Sequence, residues 1–215
     1  MNSNITVLSY NESLLRKSDV DLLKGPHWLN DTIISFYFEY LETELFKGNN
    51  SFLFVSPEVT QCIKISPQQE LEVFLSPLIK EKNPKFIFFA LNDNKQTEYS
   101  GGSHWSLLAY SDSEKIMFHF DSSRGSNECQ AMDFVEKVLQ YFDLPIEGRF
   151  EEVSTLQQNN GYDCGIHVLC NTEQLASYAS HYGRLKGCPK VTLEQVQRKR
   201  LEILSIIERL RAKNG

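Results

Sequence analysis

The sequence predicts an α+β fold built as a single domain over residues 1–215. Three observations lead there. Helix-forming segments outnumber strand-like ones, and the strand-like ones cluster in the middle of the chain. No internal repeat, low-complexity tract or Pro/Ser-rich linker divides the 215 residues. That length supports a hydrophobic core without disulfide or metal staples.

Taken in order, residues 5–8 read as a strand and a short helix is expected around 19–23. Asn30 is the expected N-cap of a helix over 31–46. Ile33, Ile34, Phe36, Tyr37, Phe38, Tyr40 and Leu41 occupy most of its faces and demand burial. Two Ser-Pro pairs mark further helix starts. Ser56-Pro57-Glu58 opens one, and Ser66-Pro67-Gln68-Gln69 opens another as a capping box with Ser66 at the N-cap and Gln69 at N3. The continuous apolar run over 85–91 is a buried strand. Residues 92–103 are polar with two glycines, a loop long enough to act as a lid. Helices over 130–141 and 192–211 follow, the second with a capping box from Thr192 and Gln195, and 149–153 is a strand between them.

Hydrophobic residues at 41% and charged residues at 23% are ordinary for a soluble chain. No apolar run approaches the length of a membrane span, and Met1-Asn2-Ser3-Asn4 does not begin a signal peptide. The expected setting is intracellular, cytoplasm or nucleus, with no membrane partner. Five cysteines, odd in number and without a C-x-x-C pair, fit free thiols in a reducing compartment rather than disulfides or a structural zinc site. The net charge of −6 is uneven: residues 189–215 carry +4, which leaves −10 on the preceding 188. An acidic body argues against nucleic acid as a partner. The basic C-terminal helix reads as a solvated face.

The chemistry concentrates in Gln157-Gln158-Asn159-Asn160-Gly161-Tyr162-Asp163-Cys164-Gly165. Here Cys164 opens an apolar, helix-like run at a Gly-containing turn. A cysteine at a helix N-terminus faces unpaired N–H groups and the positive dipole end, which favour thiolate. The same N–H groups can receive an oxyanion, and Gln158 can add an amide donor. A base comes from the strand-like runs 104–110 and 115–121, joined by Ser111-Asp112-Ser113-Glu114. A four-residue loop there gives a register in which paired numbers sum to 225. Trp105/Phe120, Leu107/Phe118 and Ala109/Ile116 then share an apolar face, and His104 lies opposite Asp121. Such an acid orients the imidazole and stabilises its protonated form. Cys164 as nucleophile, His104 as base, Asp121 as orienter and Gln158 as oxyanion donor make an acyl-transfer site.

These residues carry a resemblance. Gly102-Ser103-His104-Trp105-Ser106-Leu107-Leu108, Phe118-His119-Phe120-Asp121-Ser122 and the stretch from Gln158 to Gly165 resemble the Ulp/sentrin-specific cysteine proteases, whose relatives include the adenovirus protease. Val7-Leu8-Ser9-Tyr10, Trp28-Leu29-Asn30-Asp31, Ser56-Pro57-Glu58-Val59-Thr60-Gln61 and Leu91-Asn92-Asp93-Asn94 are similar to its deneddylase branch, as is the lack of a long N-terminal extension. The resemblance implies the Ulp-type (adenain-like) fold, a central mixed sheet flanked by helices. It implies a thiol isopeptidase and precursor-processing protease for a Nedd/Rub ubiquitin-like modifier, acting on conjugates such as cullins, monomeric, with no metal and no organic cofactor. By the same resemblance Trp105 lies over the modifier's Gly-Gly tail, while Trp28 and Asp31 line the tail channel. A slot between two indoles admits only residues without side chains. Ser103 and Ile166 vary modestly from the family pattern, and the tail after Tyr182 matches least.

Plainer readings stand beside these. Cys164 could be a buried structural thiol; Cys62 and Cys170 sit in apolar runs and read as core, Cys129 and Cys188 as loop. His119 shares a face with His104 and could compete as base, but it would sit opposite Ser106 with no carboxylate in register. His167 reads as packing or surface, and Trp28 and Trp105 could be core anchors. Alternative functions are the same chemistry on SUMO or ubiquitin, an acyltransferase, or a non-catalytic binder of ubiquitin-like proteins.

Overall fold

A five-stranded mixed sheet divides two hydrophobic cores in the computed structural model, which describes residues 4–95 and 101–214. Its strands are β3 (Phe52–Val55), β4 (Phe86–Asn92), β5 (Trp105–Ser111), β6 (Ile116–Phe120) and β7 (Phe150–Val153), in that spatial order. The β3/β4 and β6/β7 pairs are parallel and the two central pairs antiparallel. A separate hairpin, β1 (Thr6–Tyr10) with β2 (Ser13–Arg16), precedes them.

Alternation along the central strands assigns each face. Phe86, Phe88, Ala90, Leu107, Ala109, Phe118 and Phe120 point to one core, which they share with α2 (Asp31–Tyr40), α6 (Cys164–Tyr182) and α7 (Leu193–Asn214). Ile87, Phe89, Leu91, Leu108, Tyr110 and Met117 point to the other, closed by α3 (Pro57–Ile65), α4 (Leu71–Lys82) and α5 (Glu128–Tyr141). The remaining helix, α1 (Lys17–Asp21), runs into a 3₁₀ turn at Leu22–Lys24.

Most elements lie close to their expected bounds. Asn30 caps α2, accepting from the Ile33 N–H at 3.1 Å, and a π turn at Leu41–Leu45 continues that helix. Thr192 and Gln195 make the reciprocal capping box, at 2.7 and 3.2 Å. Two expectations are corrected. Ser66 is the C-cap of α3 rather than the N-cap of the next helix, which starts only at Leu71 after a 3₁₀ turn at Gln68–Glu70. Pro67 stays extended (ψ 155°), so the chain cannot turn into helix there. The expected lid over 92–103 falls partly on 96–100, outside the described residues.

The second correction is the hairpin register. Ser111 pairs Ile116 and Leu107 pairs Phe120, so paired numbers sum to 227 and the loop is Asp112, Ser113, Glu114 and Lys115. Lys115 takes a left-handed φ of +53°, which closes the turn one residue later than expected. The slip is two residues, so every side chain keeps its face. His104 is not opposite Asp121; the register puts Asp121 level with Ser106, and His104 reaches it on the diagonal.

Candidate active site

Cys164 is the first residue of α6, His104 immediately precedes β5 and Asp121 immediately follows β6. The ends of two central strands and one buried helix therefore converge. All three residues are buried, at 2%, 7% and 3% exposure. His104 Nε2 donates to Asp121 Oδ1 at 2.6 Å. That bond leaves Nδ1 to face Cys164, whose sulfur acts on the charge of the imidazole.

Burial pulls the His104 pKa down, yet the bond to Asp121 and the charges of Asp121 and Cys164 outweigh it and push it up to about 9. Burial alone would raise Asp121. The bond from His104 and backbone N–H groups of Ser123 (2.9 Å) and Asn127 (3.1 Å) reverse that and hold its carboxyl below the usual range. The pair is thus an imidazolium facing a carboxylate, with the sulfur on the imidazole's free side.

Gln158 lies on the loop before α6, its backbone N–H bonded to Ser122 O at 2.8 Å. Its side-chain Oε1 accepts from Ser122 Oγ at 2.8 Å, so the amide nitrogen is the end left to donate. One amide hydrogen goes to Asn160 O at 2.7 Å, and the second has no partner among the described residues.

A cleft of about 470 Å³ opens over His104 and Cys164, lined also by Trp28, Asp31 and Trp105 among others, while Gln158 and Asp121 lie outside its lining. Trp105 Nε1 donates to Leu29 O at 3.0 Å, and Trp28 Nε1 donates to Gly161 O on the loop before α6. Trp28 is half exposed, so it is a wall and not a core anchor. Asp31 is exposed at the start of α2, its Oδ1 taking the Thr32 N–H. Gly165 packs so closely on Leu29 that a Cβ would come 3.0 Å from the Leu29 Cβ; the sulfur's helix and the Trp28 segment meet only because residue 165 has no side chain.

Several contributors gave little local signal. Asp93 accepts from the backbone N–H of Ser103 (2.6 Å) and His104 (3.1 Å), fixing the approach to the imidazole. Gly102 takes φ +96° beneath Asn92, where a Cβ would lie 1.9 Å from Oδ1. Arg200 of α7 donates to Asp163 Oδ1 (2.8 Å), Leu22 O (2.8 Å) and His27 O (2.7 Å). The basic helix is therefore not simply a solvated face. Lys199 too is buried, bonded to Glu173 Oε2 at 2.5 Å and Tyr37 Oη at 3.0 Å.

Other expectations are settled by contact. Cys170 is buried, but Cys62 is only half-buried and borders the cleft instead of the core. Cys129 is exposed. His167 is packed inside, and burial lowers its pKa. His119 does have a carboxylate: its Nδ1 lies 2.6 Å from Glu152 Oε2 on β7, the strand expected at 149–153, whose pairing beside β6 the hairpin register could not reveal.

Comparison with known proteins bears on the same residues. A family model described as the Ulp1 protease family, C-terminal catalytic domain, matches residues 27–212. The chain is 40% identical over 211 residues to Sentrin-specific protease 8 of Rattus norvegicus, covering 97% of this chain and 96% of that protein. It is 31% identical over 214 residues to NEDD8-specific protease 1 of Arabidopsis thaliana, covering 95% and 93%. Among solved structures, the C-terminal Ulp1 protease domain in complex with Smt3, the yeast ortholog of SUMO, aligns with a TM-score of 0.73 at 22% identity, over 98% of this chain and 90% of that one. The likeness shows a shared Ulp1-type fold.

Proposed function

The chain belongs to the Ulp1 family of cysteine proteases, and we propose that it cleaves the bond after the C-terminal Gly-Gly of a ubiquitin-like modifier of the NEDD8/Rub type. The reaction would serve both precursor processing and release from lysines of conjugates such as cullins. The enzyme acts as a monomer in the cytoplasm or nucleus. The choice of modifier is supported by the near full-length likeness to Sentrin-specific protease 8 and NEDD8-specific protease 1. Among the described residues no helix is long and apolar enough to cross a membrane.

One observation carries the mechanism: a buried imidazole bonded to Asp121 in the same site as Cys164, whose sulfur acts on the ring's charge. The modifier tail lies in the cleft between Trp28 and Trp105, with Asp31 along its backbone, and delivers the Gly carbonyl to the sulfur. Cys164 attacks as thiolate. The Gln158 amide and the Cys164 N–H receive the oxyanion, and the His104 imidazolium gives its proton to the departing lysine amine. His104, now neutral, takes a proton from water that hydrolyses the thioester, and Asp121 holds the ring throughout.

A panel of fluorogenic C-terminal amides of NEDD8, SUMO and ubiquitin tests this reading. Preferred turnover of NEDD8 amide, abolished in Cys164→Ala with modifier binding retained, is the expected result. Undiminished turnover by Cys164→Ala would sink the mechanism, and preference for SUMO or ubiquitin would sink the choice of modifier.

A further inference from the structure

Behind the acid of the candidate active site lies a second chain of polar groups, away from the cleft. Asp121 Oδ1 is already shared by His104 Nε2 and the Ser123 N–H, while Oδ2 accepts the N–H of Asn127 at 3.1 Å. Residue 127 is itself fully buried and anchored by its side chain. Its Nδ2 donates to Leu91 O at 3.3 Å and to Ser106 Oγ at 2.9 Å. Leu91 O is purely an acceptor, so the amide cannot be flipped without losing that bond. Its Oδ1 has no partner among the described residues, so the donor end does the anchoring.

Ser106 Oγ in turn lies 2.9 Å from His119 Nε2, and His119 Nδ1 lies 2.6 Å from Glu152 Oε2. Hydrogen directions are consistent along the whole chain. Glu152 accepts from Nδ1–H, which leaves Nε2 to accept the Ser106 hydroxyl hydrogen, and Ser106 Oγ is then free to accept from Asn127. Every intermediate side chain is buried, and only Glu152 reaches solvent.

We propose that Asn127, Ser106 and His119, oriented by Glu152, are positioning residues that seat Asp121 behind His104. The proposal rests on the catalytic reading of those two residues. It gives His119 a role distinct from competing base: its ring is enclosed between β5 and β7, bonded at both nitrogens. Such supports act on rate by geometry, and a small misplacement of a reacting group costs up to about 100-fold.

The test pairs a buried variant with a surface one. Asn127→Ala is expected to lower kcat about 10-fold on NEDD8 amide with KM unchanged. It also moves the alkaline limb of the rate profile to lower pH, because a looser Asp121 stabilises the His104 imidazolium less. Glu152→Ala, on a partly exposed side chain that does not threaten folding, moves both readings the same way by a smaller factor. Glu152→Gln, whose amide oxygen still accepts from His119, recovers them. A Glu152→Ala enzyme with wild-type kcat and pH limb, or a loss that Glu152→Gln does not recover, overturns the proposal. The pH profile of iodoacetamide alkylation, read at Cys164 by peptide mass mapping, needs no modifier. A shifted alkylation profile with no NEDD8 turnover in the wild type would discard the substrate reading and keep the positioning chain.

Discussion

A carboxylate taken out of water stays ionised only where donors replace its hydration, and Asp121 has three: His104, Ser123 and Asn127. The return effect on His104 has a measurable consequence. Its folded pKa of about 9 stands above the ordinary value of 6.5. The imidazolium's contribution to folding is therefore complete below about pH 6.5 and is lost as pH rises through about 9. Urea denaturation of the wild type is expected to show stability falling across that window, with a flatter profile for His104→Gln. Identical profiles would mean that the imidazole is not held protonated by its neighbours. In the proposed mechanism the same residue sets the alkaline limb of activity, since a neutral His104 cannot protonate the leaving amine.

Among the elements, α6 and α7 do the most to shape the site. Cys164 begins α6, and the loop ahead of it is held from outside by one guanidinium on α7. Arg200 binds Asp163 and two carbonyls of the segment leading to Trp28, and stacks near the Tyr162 ring at 5.8 Å. Arg200→Ala leaves Asp163 partly buried without its counter-ion, held only by the Asn160 amide, and is expected to cost about 3 kcal/mol in thermal or urea unfolding. Arg200→Lys is expected to recover less than half, because one ammonium cannot span three acceptors set in a fork. Full recovery by lysine would mean that charge alone, not the fork, joins α7 to the loop before Cys164. This clamp was invisible to pattern reading. Asp163 and Arg200 are 37 residues apart, and nothing local distinguishes Arg200 from the solvated arginines beside it.

For the molecule as a unit, what could be read in advance followed from local rules, and what could not depended on pairing. The α6 start was legible because a cysteine next to glycine precedes a long apolar run. The sheet faces were legible because alternation survives a two-residue slip. The true register was not, since Lys115 adopts a left-handed conformation with no glycine to announce it. β2 and β3, four residues each, are too short for periodicity to speak. Glu152 reaches His119 only because β7 adds in parallel beside β6, a crossover through α5 that no short motif encodes. The expected His104–Asp121 contact is present on the diagonal instead of directly across, because a long imidazole reaches a carboxylate two residues along.

The most direct measurement is the site of covalent capture by NEDD8 bearing a C-terminal vinyl sulfone, read by intact mass and peptide mapping on the wild-type enzyme. One modifier per chain, attached at Cys164 and reduced sharply by His104→Ala, is the expected result. Attachment at half-buried Cys62 or exposed Cys129, or capture that ignores the loss of His104, would contradict a nucleophile set by this imidazole and its acid.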